Sequence, residues 1–352
     1  MATMELMSKP IIETDFLLKV PETKRFDVRV SVNHQQLKNL ISTQPTGEPS
    51  DPVYFTNSYF IWSLYPHSGA IKQIGGMLKY KPLCLLGSCG YVVSGGPLNG
   101  QVDFWAPNGS HTFMELGGTY NNGVAIHRRN CDQKAESLVC NNDHTIKILN
   151  LDDKSLTNLL YFPVNMNHAS VSNDGRFMVC VGDSPDVFIY DIDRSGSFHH
   201  QSTSRADTHE GSFCTSISAD NRLIACASED STISIFDIRQ LGRVLESRSC
   251  QRPSPFGSIR SCHFSPPNAG PLDLLLYSEG YNIVHLLDTR NFCEKTFSIQ
   301  ALESTTIGAN VEVSGTCFSD DGSRLYVASP SCIYEWDIEK RNRLCFPSFD
   351  MA

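Results

Sequence analysis

The stretch RLIACASEDSTISIFDIR, residues 222–239, contains the pattern that decides the fold. A continuous apolar run comes first, a polar turn follows at residues 228–231, and then apolar and polar residues alternate. A short continuous apolar run is typical of a strand covered on both faces, and alternation is typical of a half-buried strand. The stretch therefore predicts two strands joined by a tight polar turn.

Similar alternating runs recur along the whole chain. Their equivalent positions are spaced about 40 to 50 residues apart, the length of one propeller blade of four short strands. The aligned residues are Leu64, Trp105, Leu149, Tyr190, Phe236, Leu287 and Trp336. Seven such units can close into a ring that leaves no long sheet edge exposed. The sequence therefore predicts an all-β, seven-bladed β-propeller.

The domain organisation follows from where the repeats begin and end. Residues 1–25 are predicted to be a flexible N-terminal extension, and residues 26–349 a single propeller. The first strand of the first blade is expected near FDVRVSV (26–32). The last blade is completed either by RLCFPSF (343–349) or by a strand from the N-terminal segment, and the sequence leaves both open.

Composition narrows the classes of partner and the cellular location. The net charge of −9 argues against nonspecific binding to nucleic acid or to an anionic membrane. No apolar stretch reaches the roughly 18 residues needed to span a bilayer, and no signal peptide is recognisable at the N-terminus. The 13 cysteines include no Cys-x-x-Cys pair, which favours free thiols in a reducing compartment. We expect a cytoplasmic or nuclear protein with no metal and no cofactor.

The chain carries no recognisable catalytic motif, so a non-enzymatic binding function is predicted. A propeller gathers loops from every blade around one mouth of its channel, and carboxylates in those loops can pair with a peptide ammonium in a partly desolvated site. Arg260 can pair with a carboxylate of the protein or of a ligand, and Tyr281 can supply an aromatic contact. The predicted peptide-binding residues are Glu229, Glu279, Asp143, Arg260 and Tyr281.

The alternating runs that end in an aromatic residue and Asp, as at Trp336, resemble the repeats of the WD-repeat family. In that family the Asp of a blade's inner turn bonds a His from the loop before the blade. The resemblance implies such structural pairs between Asp230 and His209 and between Asp183 and His168. Other aromatic residues replace the family's Trp in both blades, so these are degenerate WD repeats.

Two longer segments resemble a mostly fungal WD-repeat subfamily. These are HQQLKNL (34–40) with KPLCLLGSCGYVVSGGPLNGQV (81–102), and SIRSCHFSPPNAGPLDLLLYSEGYNIVHLLDTRNF (258–292). One member of that subfamily is a substrate receptor of the GID ubiquitin ligase and captures proteins with an N-terminal threonine. The resemblance implies a substrate-recognition subunit, with ligase core subunits and substrate N-terminal peptides as partners of a monomeric propeller.

Two alternatives remain open at this point. FDIR (236–239) and LLDTR (286–290) approximate the Trp-Asp-x-Arg box of cullin-4 ligase receptors, although both lack the Trp. That resemblance implies that Arg239 and Arg290 dock to the ligase adaptor. A general WD-repeat scaffold unrelated to ubiquitin is the other alternative.

Overall fold

The computed structural model describes residues 18–338 except 35, 38, 45–50, 131, 251, 253, 255, 270–272, 300–301 and 303–309. In these residues, 28 strands form seven four-stranded antiparallel sheets. The prediction of an all-β, seven-bladed propeller is confirmed. No helix among the described residues is long and apolar enough to cross a membrane.

Blades 1 to 4 are each built from four consecutive strands. Blade 1 consists of β2 (Ile41–Thr43), β3 (Val53–Asn57), β4 (Phe60–Tyr65) and β5 (Ala70–Ile74). Blade 2 consists of β6 (Cys84–Ser88), β7 (Tyr91–Gly95), β8 (Gln101–Trp105) and β9 (His111–Glu115). Blade 3 consists of β10 (Asn121–Arg128), β11 (Ala135–Asn141), β12 (Thr145–Asn150) and β13 (Ser155–Tyr161). Blade 4 consists of β14 (Met166–Val171), β15 (Phe177–Gly182), β16 (Ser184–Ile192) and β17 (Phe198–Arg205).

The remaining three blades complete the ring, and the last one combines both ends of the described chain. Blade 5 consists of β18 (Ser212–Ile217), β19 (Leu223–Ser228), β20 (Thr232–Asp237) and β21 (Glu246–Ser249). Blade 6 consists of β22 (Ile259–Phe264), β23 (Leu274–Glu279), β24 (Ile283–Asp288) and β25 (Cys293–Ser298). Blade 7 consists of β26 (Gly315–Phe318), β27 (Arg324–Ala328), β28 (Ile333–Ile338) and β1 (Leu18–Phe26).

The ring is closed by the N-terminal strand, one of the two predicted solutions. Strand β1 pairs antiparallel with β28, from Thr23 opposite Trp336 to Phe26 opposite Ile333. The structure thus differs from the predicted boundary at residue 25, because residues 18–25 belong to blade 7. The other predicted closing segment, residues 343–349, lies outside the described residues, as do residues 1–17.

The first blade also begins later than expected. Its first strand is Ile41–Thr43, and the predicted strand at residues 26–32 instead contains the end of β1 and the start of a connection. That connection, residues 27–40, leads from the outermost strand of blade 7 to the innermost strand of blade 1. The apolar pattern of this segment reflects packing of Val28 and Val30 into the core cluster between these two blades.

Burial explains why the blades repeat. The first strands of neighbouring blades pack against one another in a closed ring of seven, which places them around the central channel. All seven residues of β11 are buried, whereas the outermost strand of the same blade, β13, has only exposed and partly exposed residues. The core clusters lie between blades, as where Leu276 and Val284 of blade 6 meet Leu325 of blade 7. Each blade therefore covers an apolar face of its neighbour.

Because strands within a blade alternate in direction, the connections divide into two faces. The upper face comprises the turns between the second and third strands of each blade and the connections from one blade to the next. The lower face comprises the remaining turns. All the acidic residues predicted to bind a peptide lie in upper-face connections or at the strand ends beside them.

Candidate functional site

The upper face exposes most of the large apolar side chains that the described residues leave in solvent. Five of these nine residues lie in upper-face connections: Met77, Leu98, Tyr120, Phe256 and Leu302. Each of the five lies in a different connection, so the upper face offers apolar side chains from blades all around the ring.

The connection between blades 7 and 1, residues 27–40, lies across the upper mouth, and we call it the mouth segment. Asn33 Nδ2 donates to the backbone oxygen of Pro82, just before blade 2, at 2.8 Å. The His34 ring lies 6.0 Å from the ring of Tyr120, just before blade 3. Gln36 Nε2 donates to Glu229 Oε1 of blade 5 at 3.4 Å. One chain segment thus contacts loops from around the ring.

Glu229 sits in the upper-face turn of blade 5 with its backbone fixed and its side chain partly exposed. Its NH donates to the backbone oxygen of Gly211 at 2.9 Å, and its own backbone oxygen accepts from Ser258 Oγ at 2.6 Å. Within the described residues, the carboxylate accepts one side-chain hydrogen bond, the long one from Gln36. A carboxylate held this loosely at the mouth can accept hydrogen bonds from an incoming cation.

Arg260, at the start of β22, is buried beside this mouth. The residue is only 6% exposed, and its guanidinium lies 4.3 Å above the ring of Phe213. Burial lowers the pKa of Arg260, and nearby Glu229, Tyr281 and Glu312 act against that effect. Its Nη1 has no hydrogen-bond partner among the described residues. A buried unpaired donor costs about 1–3 kcal/mol, so a ligand oxygen at this position would be favourable.

Aromatic side chains complete the mouth site. The ring of Tyr281 lies 5.5 Å from that of Phe256, which is 41% exposed, and Tyr281 forms an isolated β-bridge with Glu312. We call Glu229, Arg260, Tyr281 and Phe256 together the mouth site. It combines an open carboxylate, a buried donor and an aromatic surface, groups that can bind the polar and apolar parts of one ligand.

Comparison with known proteins places the chain in a family. Residues 257–296 match the model of the uncharacterised protein domain DUF2415. A fission yeast protein, Uncharacterized protein C4G3.03 of Schizosaccharomyces pombe, is 55% identical over 328 residues, which cover 93% of this chain and 94% of the relative. The chain belongs to the same family as this fission yeast protein, and it contains a DUF2415 domain. The DUF2415 match contains Arg260 and Tyr281 of the mouth site, whereas Glu229 and Phe256 precede it.

Glu279 lies within the DUF2415 match but is not available at the mouth. It is 1% exposed, and both its carboxylate oxygens are engaged. Arg252 Nε donates to Oε2 at 2.9 Å, and His285 Nε2 lies 3.1 Å from Oε1. The structure therefore places the Glu279 carboxylate in an internal network, and its predicted role in peptide binding stays a prediction.

Asp143, in the upper-face turn of blade 3, is likewise committed to an internal pair. Lys147 Nζ donates to Asp143 Oδ2 at 2.6 Å, and Thr145 Oγ1 donates to the other oxygen. The Lys147 side chain is 4% exposed and that of Asp143 is 26% exposed. Asp143 therefore neutralises a buried cation of its own blade.

Of the two His–Asp pairs implied by the WD-repeat resemblance, one forms through the backbone and the other is replaced. Asp230 accepts a hydrogen bond from the backbone NH of His209 at 3.1 Å, and His209 itself is exposed. Asp183 accepts from the amide of Asn167 at 2.8 Å. The ring of His168 accepts from a backbone NH of blade 5 at 3.3 Å instead. The hydrogen-bond donor to Asp183 is thus an asparagine side chain, where the family pattern has a histidine.

Arg239 and Arg290 occupy equivalent lower-face turns of blades 5 and 6, away from the mouth site. Arg239 Nε donates to Asp237 Oδ1 at 2.9 Å, and Arg290 Nη2 donates to Asp288 Oδ2 at 2.7 Å. The two arginine side chains are 64% and 40% exposed. The equivalent Asp–Arg pairs leave both guanidinium groups accessible from solvent.

The structure also assembles a group of metal-ligand types that sequence reasoning missed. Cys250, Glu279 and His285 place one ligand atom each within 4.8 Å of the others. The expectation of no metal site depended on the absence of short ligand spacings, and these residues are separated along the chain and across two blades. Glu279 and His285 lie in the stretch that resembles a known subfamily, residues 258–292. That resemblance was the only sign in the sequence that these two residues could share a site.

Proposed function

We propose that the chain is a non-enzymatic protein-interaction module that binds the N-terminal segment of another protein at its upper mouth. The observation that carries this proposal is the pairing of an open carboxylate, Glu229, with a buried guanidinium, Arg260, whose Nη1 lacks a partner. The mouth site lies on the face that exposes most of the large apolar side chains in the described part of the chain.

Each group of the mouth site has a matching group at a peptide's amino terminus. The ammonium pairs with Glu229 and displaces the long hydrogen bond from Gln36. A backbone carbonyl of the first residues accepts from Arg260, and an apolar side chain packs against Phe256 and Tyr281. A charge-assisted hydrogen bond in a partly desolvated site is worth about 1.5–3 kcal/mol, enough to discriminate a free from a blocked terminus.

We further propose that this binding serves substrate recognition in a GID-type ubiquitin ligase. The support is the resemblance of segments 34–40, 81–102 and 258–292 to the subfamily that contains such a receptor. These segments contain the second half of the mouth segment, β6 and β7 of blade 2, and β22 to β24 of blade 6. They therefore include part of the mouth segment and two residues of the mouth site, Arg260 and Tyr281.

Glu229→Gln should weaken binding of a peptide with a free N-terminal threonine about tenfold, because it removes the charge that pairs with the ammonium. Isothermal titration calorimetry with the full chain measures this. Glu210→Gln is the matched control, since Glu210 is an exposed acid of the same face, in the loop before blade 5. Gln36→Ala should strengthen binding, because the mouth segment then no longer competes for Glu229.

Acetylation of the peptide is the second arm of this experiment. It should weaken binding to the unaltered chain as much as Glu229→Gln does, and it should have little further effect on that variant. Equal affinity of free and acetylated peptides for the unaltered chain would exclude an ammonium site at Glu229.

Affinity capture of the tagged full chain from its own cells, followed by mass spectrometry, tests the ligase assignment. GID core subunits should co-purify. The second candidate function, a cullin-4 receptor, is favoured by the exposed Asp–Arg pairs at Arg239 and Arg290, and it predicts the cullin-4 adaptor instead. Recovery of a different stable assembly would make the propeller a scaffold of that assembly and contradict both assignments.

A further inference from the structure

Three metal-ligand side chains converge where blades 5 and 6 meet below the upper face. Cys250 directly follows the outermost strand of blade 5, Glu279 ends β23, and His285 lies in β24. Cys250 Sγ is 3.8 Å from His285 Nε2, and His285 Nε2 is 3.1 Å from Glu279 Oε1. Each atom is of a type that binds zinc.

The sulfur–nitrogen and nitrogen–oxygen distances fit a tetrahedral ion. With ordinary zinc bond lengths, a sulfur and a nitrogen ligand lie about 3.6 Å apart, and a nitrogen and an oxygen ligand about 3.3 Å apart. The observed separations, 3.8 Å and 3.1 Å, each differ from these values by a few tenths of an ångström. All three ligand atoms lie within 4.8 Å of one another, so side-chain rotations can bring them around one ion.

The neighbours of the ligands orient them as the outer shell of a metal site does. His285 Nδ1 lies 3.2 Å from Glu294 Oε1, so in a metal-bound state Glu294 would accept the Nδ1 proton and leave Nε2 as the ligand atom. Arg252 Nε donates to the other carboxylate oxygen of Glu279 at 2.9 Å. The ring of Tyr277 stacks on the imidazole with 4.5 Å between centroids and 4° between planes.

The same atoms also suit a metal-free arrangement, and the experiment must distinguish it from a zinc site. Burial lowers the pKa of His285, but hydrogen bonds with Cys250, Glu279 and Glu294 outweigh burial and raise it to about 11. In that arrangement an imidazolium lies between two carboxylates. The two arrangements differ in the sulfur, since zinc requires a Cys250 thiolate and an imidazolium does not.

We propose that Cys250, Glu279 and His285 bind one zinc ion that fastens the connection between blades 5 and 6 to the upper-face turn of blade 6. A thiolate with an imidazole and a carboxylate favours zinc over calcium or magnesium, which prefer oxygen ligands alone. Three protein ligands leave the fourth position to water. Because Tyr281 follows Glu279 closely in this turn, the ion would also stiffen one side of the mouth site.

The test is the zinc content of the full chain, purified without a metal-affinity tag and measured by inductively coupled plasma mass spectrometry. About one zinc per chain is expected, and Cys250→Ser and His285→Gln should each lose most of it. Cys293→Ser is the matched control, because Cys293 is a partly exposed cysteine of blade 6 outside the cluster. Cobalt substituted for zinc should give a thiolate-to-cobalt absorption band that Cys250→Ser abolishes.

A measurement on the unaltered chain keeps the test independent of how the variants fold. A strong chelator should lower the melting temperature by about 5 °C, and added zinc should restore it. Absence of bound zinc together with absence of the cobalt band would leave the imidazolium arrangement and overturn the proposal. Full zinc content in Cys250→Ser would equally overturn it. Peptide affinity is a separate readout, so failure here does not bear on the proposed function.

Discussion

Removal of residues 1–26 should abolish cooperative folding of the propeller, whereas removal of residues 1–17 should leave it folded. The longer truncation deletes β1, which supplies the outermost strand of blade 7 and closes the ring. Without β1, the backbone groups of β28 become an unpaired sheet edge, which promotes association with other chains. The shorter truncation removes the chain that precedes β1 and serves as the control.

The side chains of β1 add to this loss. Lys24 Nζ donates to Glu335 Oε1 at 3.0 Å, and Glu335 is a buried carboxylate with 2% of its side chain exposed. Phe26 packs against the core cluster between blades 7 and 1, beside Ile333. Loss of the β1–β28 hydrogen bonds, the Phe26 packing and the Lys24 counter-ion should together lower the free energy of unfolding by about 5 kcal/mol. That is comparable with the whole stability of many domains.

Thermal unfolding followed by circular dichroism, with size-exclusion chromatography, measures the effect. The longer truncation should show a broad transition and elute as aggregates, and the shorter one should match the full chain. A sharp, unshifted transition after removal of residues 1–26 would contradict closure by β1. Lys24→Ala in the full chain separates the ion pair from the strand, and we expect only a small part of the loss from it, because Lys24 is 60% exposed.

The blades could be predicted from sequence because the information that defines them is local. The turns after the first strands of blades 4, 5 and 7 show this directly. In each, a serine hydroxyl donates to the aspartate two residues later: Ser172 to Asp174, Ser218 to Asp220 and Ser319 to Asp321. Such self-contained turns, together with alternation in the following strands, are visible in a few consecutive residues.

Ring closure could not be predicted in the same way. Lys24 and Glu335 are 311 residues apart, and no local pattern states that their strands pair. Strand β1 has only a short alternating stretch, and residues 343–349 looked equally suitable. The choice between them depends on which strand fits the edge of β28, a property of the folded ring.

The candidate site was predicted in part for a related reason. Sequence shows which residues carry charge and which turns bring them to one face, so it could predict that Glu229, Arg260 and Tyr281 lie near one mouth of the ring. It does not show which charges are already neutralised by partners from other positions. Glu279 is bonded by Arg252, 27 residues earlier, and by His285, 6 residues later, across two blades.

Asp143→Ala should destabilise the propeller by about 2–3 kcal/mol without weakening peptide binding by the folded protein. The change leaves the Lys147 ammonium, 4% exposed, without the carboxylate that accepts its hydrogen bond at 2.6 Å. Breaking a fully buried pair from one side costs about 3–5 kcal/mol, and the partial exposure of Asp143 reduces that figure. Chemical denaturation gives the stability, and calorimetry with the threonine peptide gives the affinity.

The double variant Asp143→Ala/Lys147→Met determines whether the loss of stability comes from the unpaired Lys147 ammonium. Replacing both partners with apolar groups removes the unpaired charge, so most of the stability should return. Glu210→Ala, a change at an exposed acid of the same face, should leave stability nearly unchanged. If Asp143→Ala instead kept full stability and weakened peptide binding as Glu229→Gln does, Asp143 would belong to the mouth after all. The geometry argues against that outcome, because a carboxylate that already neutralises a buried lysine has little charge left to offer a peptide.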